Sequence, residues 1–174
     1  FAECRRMSGM LTLPASVEEI ASNAFQKDTS FTALQLPDNL RTIRAYAFDS
    51  CCRLDGVTIP AMVETMEKNA FSGCSGLETI TMPTGRLTTI SANTFAINAE
   101  SDNKVTNVII PRNVRAIENS AFNKRKFTKI IISSKVPCTL GSTGIFGQSE
   151  CYIYVPAGTY GSYTQASEWK KYTF

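Results

Sequence analysis

LTLPASVEEIASNAF at 11–25, LQLPDNLRTIRAYAF at 34–48 and VTIPAMVETMEKNAF at 57–71 are one pattern written three times, 23 residues apart. Pro14, Pro37, Pro60 and Pro83 keep that spacing, and Pro111 follows after 28. Each proline closes a short apolar run: LTLP, LQLP, VTIP, ITMP or VIIP. Phe25, Phe48, Phe71, Phe95 and Phe122 keep step, 11 or 12 residues beyond their prolines. A unit this short cannot bury its apolar face alone, but stacked copies can, so a fixed period of this length predicts a solenoid.

The consensus is L-x-x-L-x-L-P-x-x-V-x-x-I-x-x-x-A-F-x-x-C-x-x. Its first half alternates apolar and polar residues, the period-2 signature of a half-buried strand. Proline has no N–H to give a ladder, so it stands where the strand stops. The second half changes period: Val17, Ile20 and Ala24 fall at i, i+3 and i+7, as do Leu40, Ile43 and Ala47, and Val63, Met66 and Ala70. That spacing predicts one face of a helical turn or short helix folding back on the strand.

The departures fall between strands, where loops accept insertions. One extra residue lies near Arg86 and about four lie in NAESDNK at 98–104. Ser133 takes the proline place after Ile130, Ile131 and Ile132, and Ile153-Tyr154-Val155-Pro156 is the last strand. Residues 157–174 break the pattern with Gly, Tyr and the single Trp, as expected of a C-terminal cap. Phe1 holds the Phe place and Cys4 the Cys place, so the chain begins in mid-repeat and further repeats are expected upstream. Length and period together predict one domain, 1–174, with repeats over 1–156 and the cap over 157–174.

The pattern LPxxVxxIxxxAFxxC and the ending YIYVPAGTYGSYTQASEW at 152–169 resemble the BspA-like class of leucine-rich repeats, and the likeness covers essentially the whole chain. Asp28, Asn98 and Arg125 stand where that family often has Cys, and Ser133 lacks its proline. The resemblance implies an α/β fold. The expected architecture is a right-handed leucine-rich-repeat solenoid of about six to seven turns, with a parallel concave sheet and short helical or irregular convex returns. It also implies a non-enzymatic role, exposure outside the cytoplasm, and adhesion or partner binding in bacterial surface or secreted proteins.

The 174 residues are 43% apolar and 19% charged, a composition suited to a folded chain. No apolar run approaches the ~20 residues that span a bilayer as a helix. There is no histidine, which removes Ser-His-Asp and Cys-His engines, HExxH sites and every His-ligated metal. No cofactor is expected. Cys51 and Cys74 share one repeat position with Cys4 and are expected to be small buried residues, since no CxxC pair offers a metal site. Cys138 and Cys151 flank the irregular loop before the last strand, where a disulfide is one of the options. The close acidic groups, Glu18 with Glu19, Glu64 with Glu67 and Glu100 with Asp102, fall on returns or a loop, which predicts solvated surface rather than a catalytic pair.

The strand face is more informative. The residue two before each proline place points away from the core, giving the column Thr12, Gln35, Thr58, Thr81, Ile109, Ile131 and Tyr154. Its first four members are polar and its last three apolar or aromatic. Such an exposed apolar patch marks an interaction site, unless the cap or Phe146 folds over it. Charge is uneven too. Residues 1–103 hold 8 basic and 12 acidic side chains, whereas 104–135 hold 8 basic ones against Glu118 alone. Arg112, Arg115, Lys124, Arg125, Lys126 and Lys135 form this basic block, and Lys129 belongs on the strand face beside Ile131.

The expected function is a secreted or surface-exposed binding module. Its face would centre on Asn107, Ile109, Lys129, Ile131 and Tyr154, and its partner would be a host extracellular-matrix or cell-surface protein. The alternatives are a sulfated or otherwise acidic glycan held by the basic block, and a structural spacer with no partner. Nucleic acid is not expected, because no groove-reading element or stacking platform accompanies the charge.

Overall fold

Each proline-closed run forms a strand lying parallel to the one a turn earlier. The computed structural model describes residues 9–99, 103–141, 145–146 and 151–174; Phe1, Cys4, Glu100 and Asp102 lie outside them. Numbered along the chain, the longer strands are β1 (Gly9–Thr12), β3 (Phe31–Gln35), β5 (Gly56–Thr58), β7 (Thr79–Thr81), β9 (Asn107–Ile110), β11 (Lys129–Ile132) and β13 (Tyr152–Tyr154). They pair in parallel as β1–β3, β5–β7 and β9–β11–β13, and β3 lies beside β5 and β7 beside β9. The register keeps repeat positions opposite one another: Thr12 faces Gln35, Thr58 faces Thr81, and Ile109 faces Ile131, which faces Tyr154. Ser133, at the proline place, uses the N–H that proline lacks and donates it to Ile110 O at 2.9 Å.

The returns differ from the helical expectation. They contain two-residue strands: β2 (Glu19–Ile20), β4 (Thr42–Ile43), β6 (Thr65–Met66), β8 (Thr89–Ile90), β10 (Ala116–Ile117) and β12 (Thr139–Leu140). These form a second set of parallel ladders, β2–β4–β6 and β8–β10–β12. Leu40, Ile43 and Ala47 are still buried together. Their spacing is produced by a turn closed by Leu40 N–H on Pro37 O (3.0 Å), then a short strand, then a corner. The N–H groups that a helix would direct four residues back go instead to the previous turn, as Arg44 N–H to Ile20 O and Glu67 N–H to Ile43 O.

The corners explain why a helix cannot form. Asn23, Tyr46, Asn69, Asn93 and Ser120, each two residues before its Phe, adopt left-handed backbone with φ of 60, 60, 59, 55 and 58°. Lys27, Ser50, Gly73 and Lys124, two after it, do the same at 58, 61, 69 and 61°. Left-handed residues bracket Phe25, Phe48, Phe71 and Phe122, and one precedes Phe95; they turn the chain sharply and aim the rings inward. The rings stack along the coil: Phe25–Phe48 at 5.2 Å, Phe48–Phe71 at 5.0 Å, Phe71–Phe95 at 5.7 Å, Phe95–Phe122 at 5.5 Å and Phe122–Phe146 at 6.0 Å.

At the far end α1 (Tyr160–Gln165) and the residues after it pack over the last turn. Trp169 is fully buried 6.1 Å from the Phe146 ring, and its Nε1–H donates to Cys138 O at 2.8 Å. Tyr163 donates its hydroxyl to Ser134 O at 2.9 Å, and Ile153 N–H donates to Thr173 O, so the chain end lies along β13.

Asn accepts left-handed backbone more readily than other non-glycine residues, because its short polar side chain bonds locally. Tyr46→Asn is therefore expected to raise stability by about 0.5–1 kcal/mol in urea unfolding, at a corner where the equivalent turns already carry Asn.

Candidate binding face

Val108, Ile110, Ile130, Ile132 and Ile153 point into the core, so the alternate residues of β9, β11 and β13 point out. They form two rows across the strands: Asn107, Lys129, Tyr152 and Ile109, Ile131, Tyr154. Strands lie about 4.8 Å apart, so each row is continuous. Ile109 and Tyr154 are both 52% exposed, Tyr152 is 61% exposed, and Ile131 is half-buried between its neighbours. Lys129 Nζ lies 4.9 Å from the Tyr154 ring centre, a cation–π contact that holds the ammonium over the middle of the face. Nothing folds over the patch from the two expected sources: Phe146 stacks in the phenylalanine column and Trp169 turns toward Cys138.

The structure thus brings Asn107, Ile109, Lys129, Ile131 and Tyr154 together and adds Tyr152. The period-2 alternation that places Tyr154 outward places Tyr152 outward as well, so the signal for it was present. Val136 and Tyr160, both 61% exposed, lie at the corners where the chain has left β11 and β13. Tyr163 bonds Val136 O at 3.3 Å and so keeps these two corners adjacent. No repeat rule marks either, because both stand where the pattern breaks.

The basic block does not gather in this way. Arg125 is fully buried and leaves the patch: it occupies the repeat's Cys place. There Cys51 and Cys74 donate their thiols to Phe25 O and Phe48 O, each at 3.1 Å, and Arg125 does the same work with Nε–H on Phe95 O (2.9 Å) and Nη2–H on Cys74 O (3.0 Å). Burial pushes its pKa down to about 10, with Cys74 acting the other way. Lys124 donates to Asn98 O at 2.6 Å. Arg115 sits beside β10 in the short-strand sheet, whereas Lys129 belongs to β11 in the long-strand sheet. Arg112, Lys126 and Lys135 are exposed at different corners of the turn.

The chain matches the family described as the BspA type leucine rich repeat region (6 copies) over residues 1–103 and 97–150. It belongs to that family. A solved leucine rich cell surface protein from Faecalibacterium prausnitzii A2-165 is similar, with 23% identity, a TM-score of 0.55, and coverage of 87% of this chain and 42% of that one. The pneumococcal vaccine antigen PcpA is 18% identical with a TM-score of 0.46, covering 91% of this chain and 43% of that one. This chain therefore spans less than half the length of either structure. Among proteins of curated function, none matches it.

Cysteines and carboxylates lie elsewhere on this BspA-type coil. Cys138 and Cys151 are buried and unbridged; burial pushes the Cys138 thiol up to about 12 and the Cys151 thiol upward as well. Cys51 is buried while Cys52 beside it is exposed, so the two thiols cannot share a ligand. The carboxylates on the returns are paired one turn away: Arg44 bridges Glu19 and Glu67, each at 2.9 Å, and Arg86 meets Glu64 at 2.6 Å. Arg86 holds the Glu64 carboxyl below its ordinary range, and Arg44 with the Ala45 N–H does so for Glu67. A general acid needs the opposite shift. An apolar cavity of about 470 Å³ opens at Leu11, Val17, Ile20, Ala24 and Phe25, which are the repeat's core positions in the first described turn. Among the described residues, no helix is long and apolar enough to cross a membrane.

Arg125→Ala strips donors from two buried carbonyls and is expected to cost about 2–4 kcal/mol in urea unfolding, whereas exposed Arg112→Ala stays within about 0.5 kcal/mol. Because the folded Glu67 pKa is depressed, its stabilisation is complete above the unfolded carboxylate range and is lost as pH falls through the folded value. Glu67→Gln is therefore expected to lower the thermal midpoint at pH 7, with the gap to wild type closing on acidification.

Proposed function

We propose that this domain is a non-enzymatic binding module of a surface or secreted protein, and that it docks a protein partner on the outer face of β9, β11 and β13. One observation carries the reading. Six large hydrophobic side chains are exposed among the described residues, and five of them, Ile109, Val136, Tyr152, Tyr154 and Tyr160, fall in the last three turns. In the row of Ile109 and Tyr154, the equivalent positions of earlier turns hold Thr12, Gln35, Thr58 and Thr81. The fold does not require apolar residues on this face, and a soluble surface gains nothing from clustering them unless a partner covers them. Tyrosine suits the task, since its rigid ring offers contact area and its hydroxyl a hydrogen bond. The family and the cell-surface description of the Faecalibacterium structure support an exported location.

A sulfated-glycan reading needs several cations on one surface, and burial of Arg125 together with the separation of Arg115 from Lys129 counts against it. A panel of immobilised extracellular-matrix proteins, cell-surface proteins and heparin, probed at low and high salt, separates the readings. Salt-resistant binding to a protein is expected, with a loss of about 1 kcal/mol or more for the Tyr152→Ala, Tyr154→Ala double variant and an unchanged unfolding midpoint. Binding to heparin alone, lost at high salt, would move the function to the basic residues. No binding at all would favour a spacer.

A further inference from the structure

We propose that the partner segment on this face is extended and sets a carboxylate two residues from an apolar side chain, the carboxylate over Lys129 and the apolar group over Ile131 and Tyr154. The proposal rests on the binding face described above and adds the chemistry of what it binds.

Lys129 stands at the centre of the face. Asn107 and Tyr152 are its register partners on either side, and Ile131 lies two residues along the same strand. The contact with the Tyr154 ring fixes its ammonium there. Among the described residues, no carboxylate forms an ion pair with it. From Asn103 to Gly141, Glu118 is the only acidic residue, and it belongs to the other sheet side, where its Oε2 accepts the Ala92 N–H at 3.0 Å. Glu78, two turns before Lys129, is engaged by Lys104 at 3.3 Å. An apolar partner pressed onto the Ile and Tyr surface would strip water from this ammonium and return nothing. A partner that brings one carboxylate to the same spot offsets that cost and fixes the register of docking.

The geometry sets the spacing. Along a strand, side chains on one face recur every two residues, about 6.6 Å apart, and this is the separation of Lys129 from Ile131 and of Tyr152 from Tyr154. An extended segment lying along the strands has the same repeat. Its acidic and apolar side chains at i and i+2, in either order, then meet Lys129 and the Ile131–Tyr154 pair together. A sulfated glycan fits less well, because it needs several cations in line and finds one, ringed by apolar groups.

The test is selection from a displayed library of random twelve-residue peptides on the intact chain at about 0.15 M salt, with counter-selection on the Tyr152→Ala, Tyr154→Ala variant. Peptides enriched in Asp or Glu two residues from Leu, Ile, Phe or Tyr are expected. A synthesised winner should lose about tenfold or more affinity against Lys129→Glu and regain it when its own acid is changed to Lys. Lys129→Met should give a smaller loss, since it keeps the stem over Tyr154. Tyrosine-dependent peptides without acidic preference would leave the face standing and overturn its assigned chemistry. Heparin bound through Lys129 in place of any peptide would overturn it too. A selection yielding no tyrosine-dependent peptide would overturn the binding face along with it.

Discussion

The ring-on-ring contact of one phenylalanine per turn is the constraint on which the coil depends. For Phe48 to lie 5.0 Å from Phe71 with nearly parallel planes, every turn must return its Phe to the same place and angle. The left-handed residues on either side supply the sharp corner, and the Phe48 N–H to Ala70 O bond (2.8 Å) sets the rise. Strand register, the paired arginines and glutamates of the returns, and the donor at the Cys place all follow from that alignment. Each joins one turn to another at a place the repeat sets. Stability in such a coil is close to a sum of turn-to-turn terms.

Most of this was legible in the sequence because period, proline and phenylalanine are redundant markers of one geometry. The strands, their parallel pairing and the burial of Cys51 and Cys74 follow from position alone. The returns were less legible. Val17, Ile20 and Ala24 have a helix-like spacing, and apolar periodicity does not distinguish a short helix from a turn, a two-residue strand and a corner. The deciding facts were the left-handed residues, and Tyr46 and Lys27 are not types that announce such backbone. Arg125 was illegible for a related reason: a charged residue in a basic run reads as surface unless its place in the repeat is given more weight than its type.

The binding face shows the same division. Alternation located Ile109, Ile131 and Tyr154 and carries Tyr152 with them, since a strand has only two sides. Whether the face stays open depended on where Phe146 and Trp169 go, and both are drawn to the end of the phenylalanine column, leaving the outer tyrosines uncovered. Sealing of the core and exposure of the face are thus two results of one packing choice.

Arg125 has a consequence for how the coil comes apart. A linear array is most prone to split where neighbouring turns are least alike, and here that is the stretch carrying the insertion at 98–104. Arg125 belongs to the turn after the insertion and grips carbonyls of both Phe95 and Cys74, one and two turns back. It acts as a rivet through three layers rather than a link between two. These bonds couple the last turns to the middle ones and so favour melting as one block over fraying at that seam.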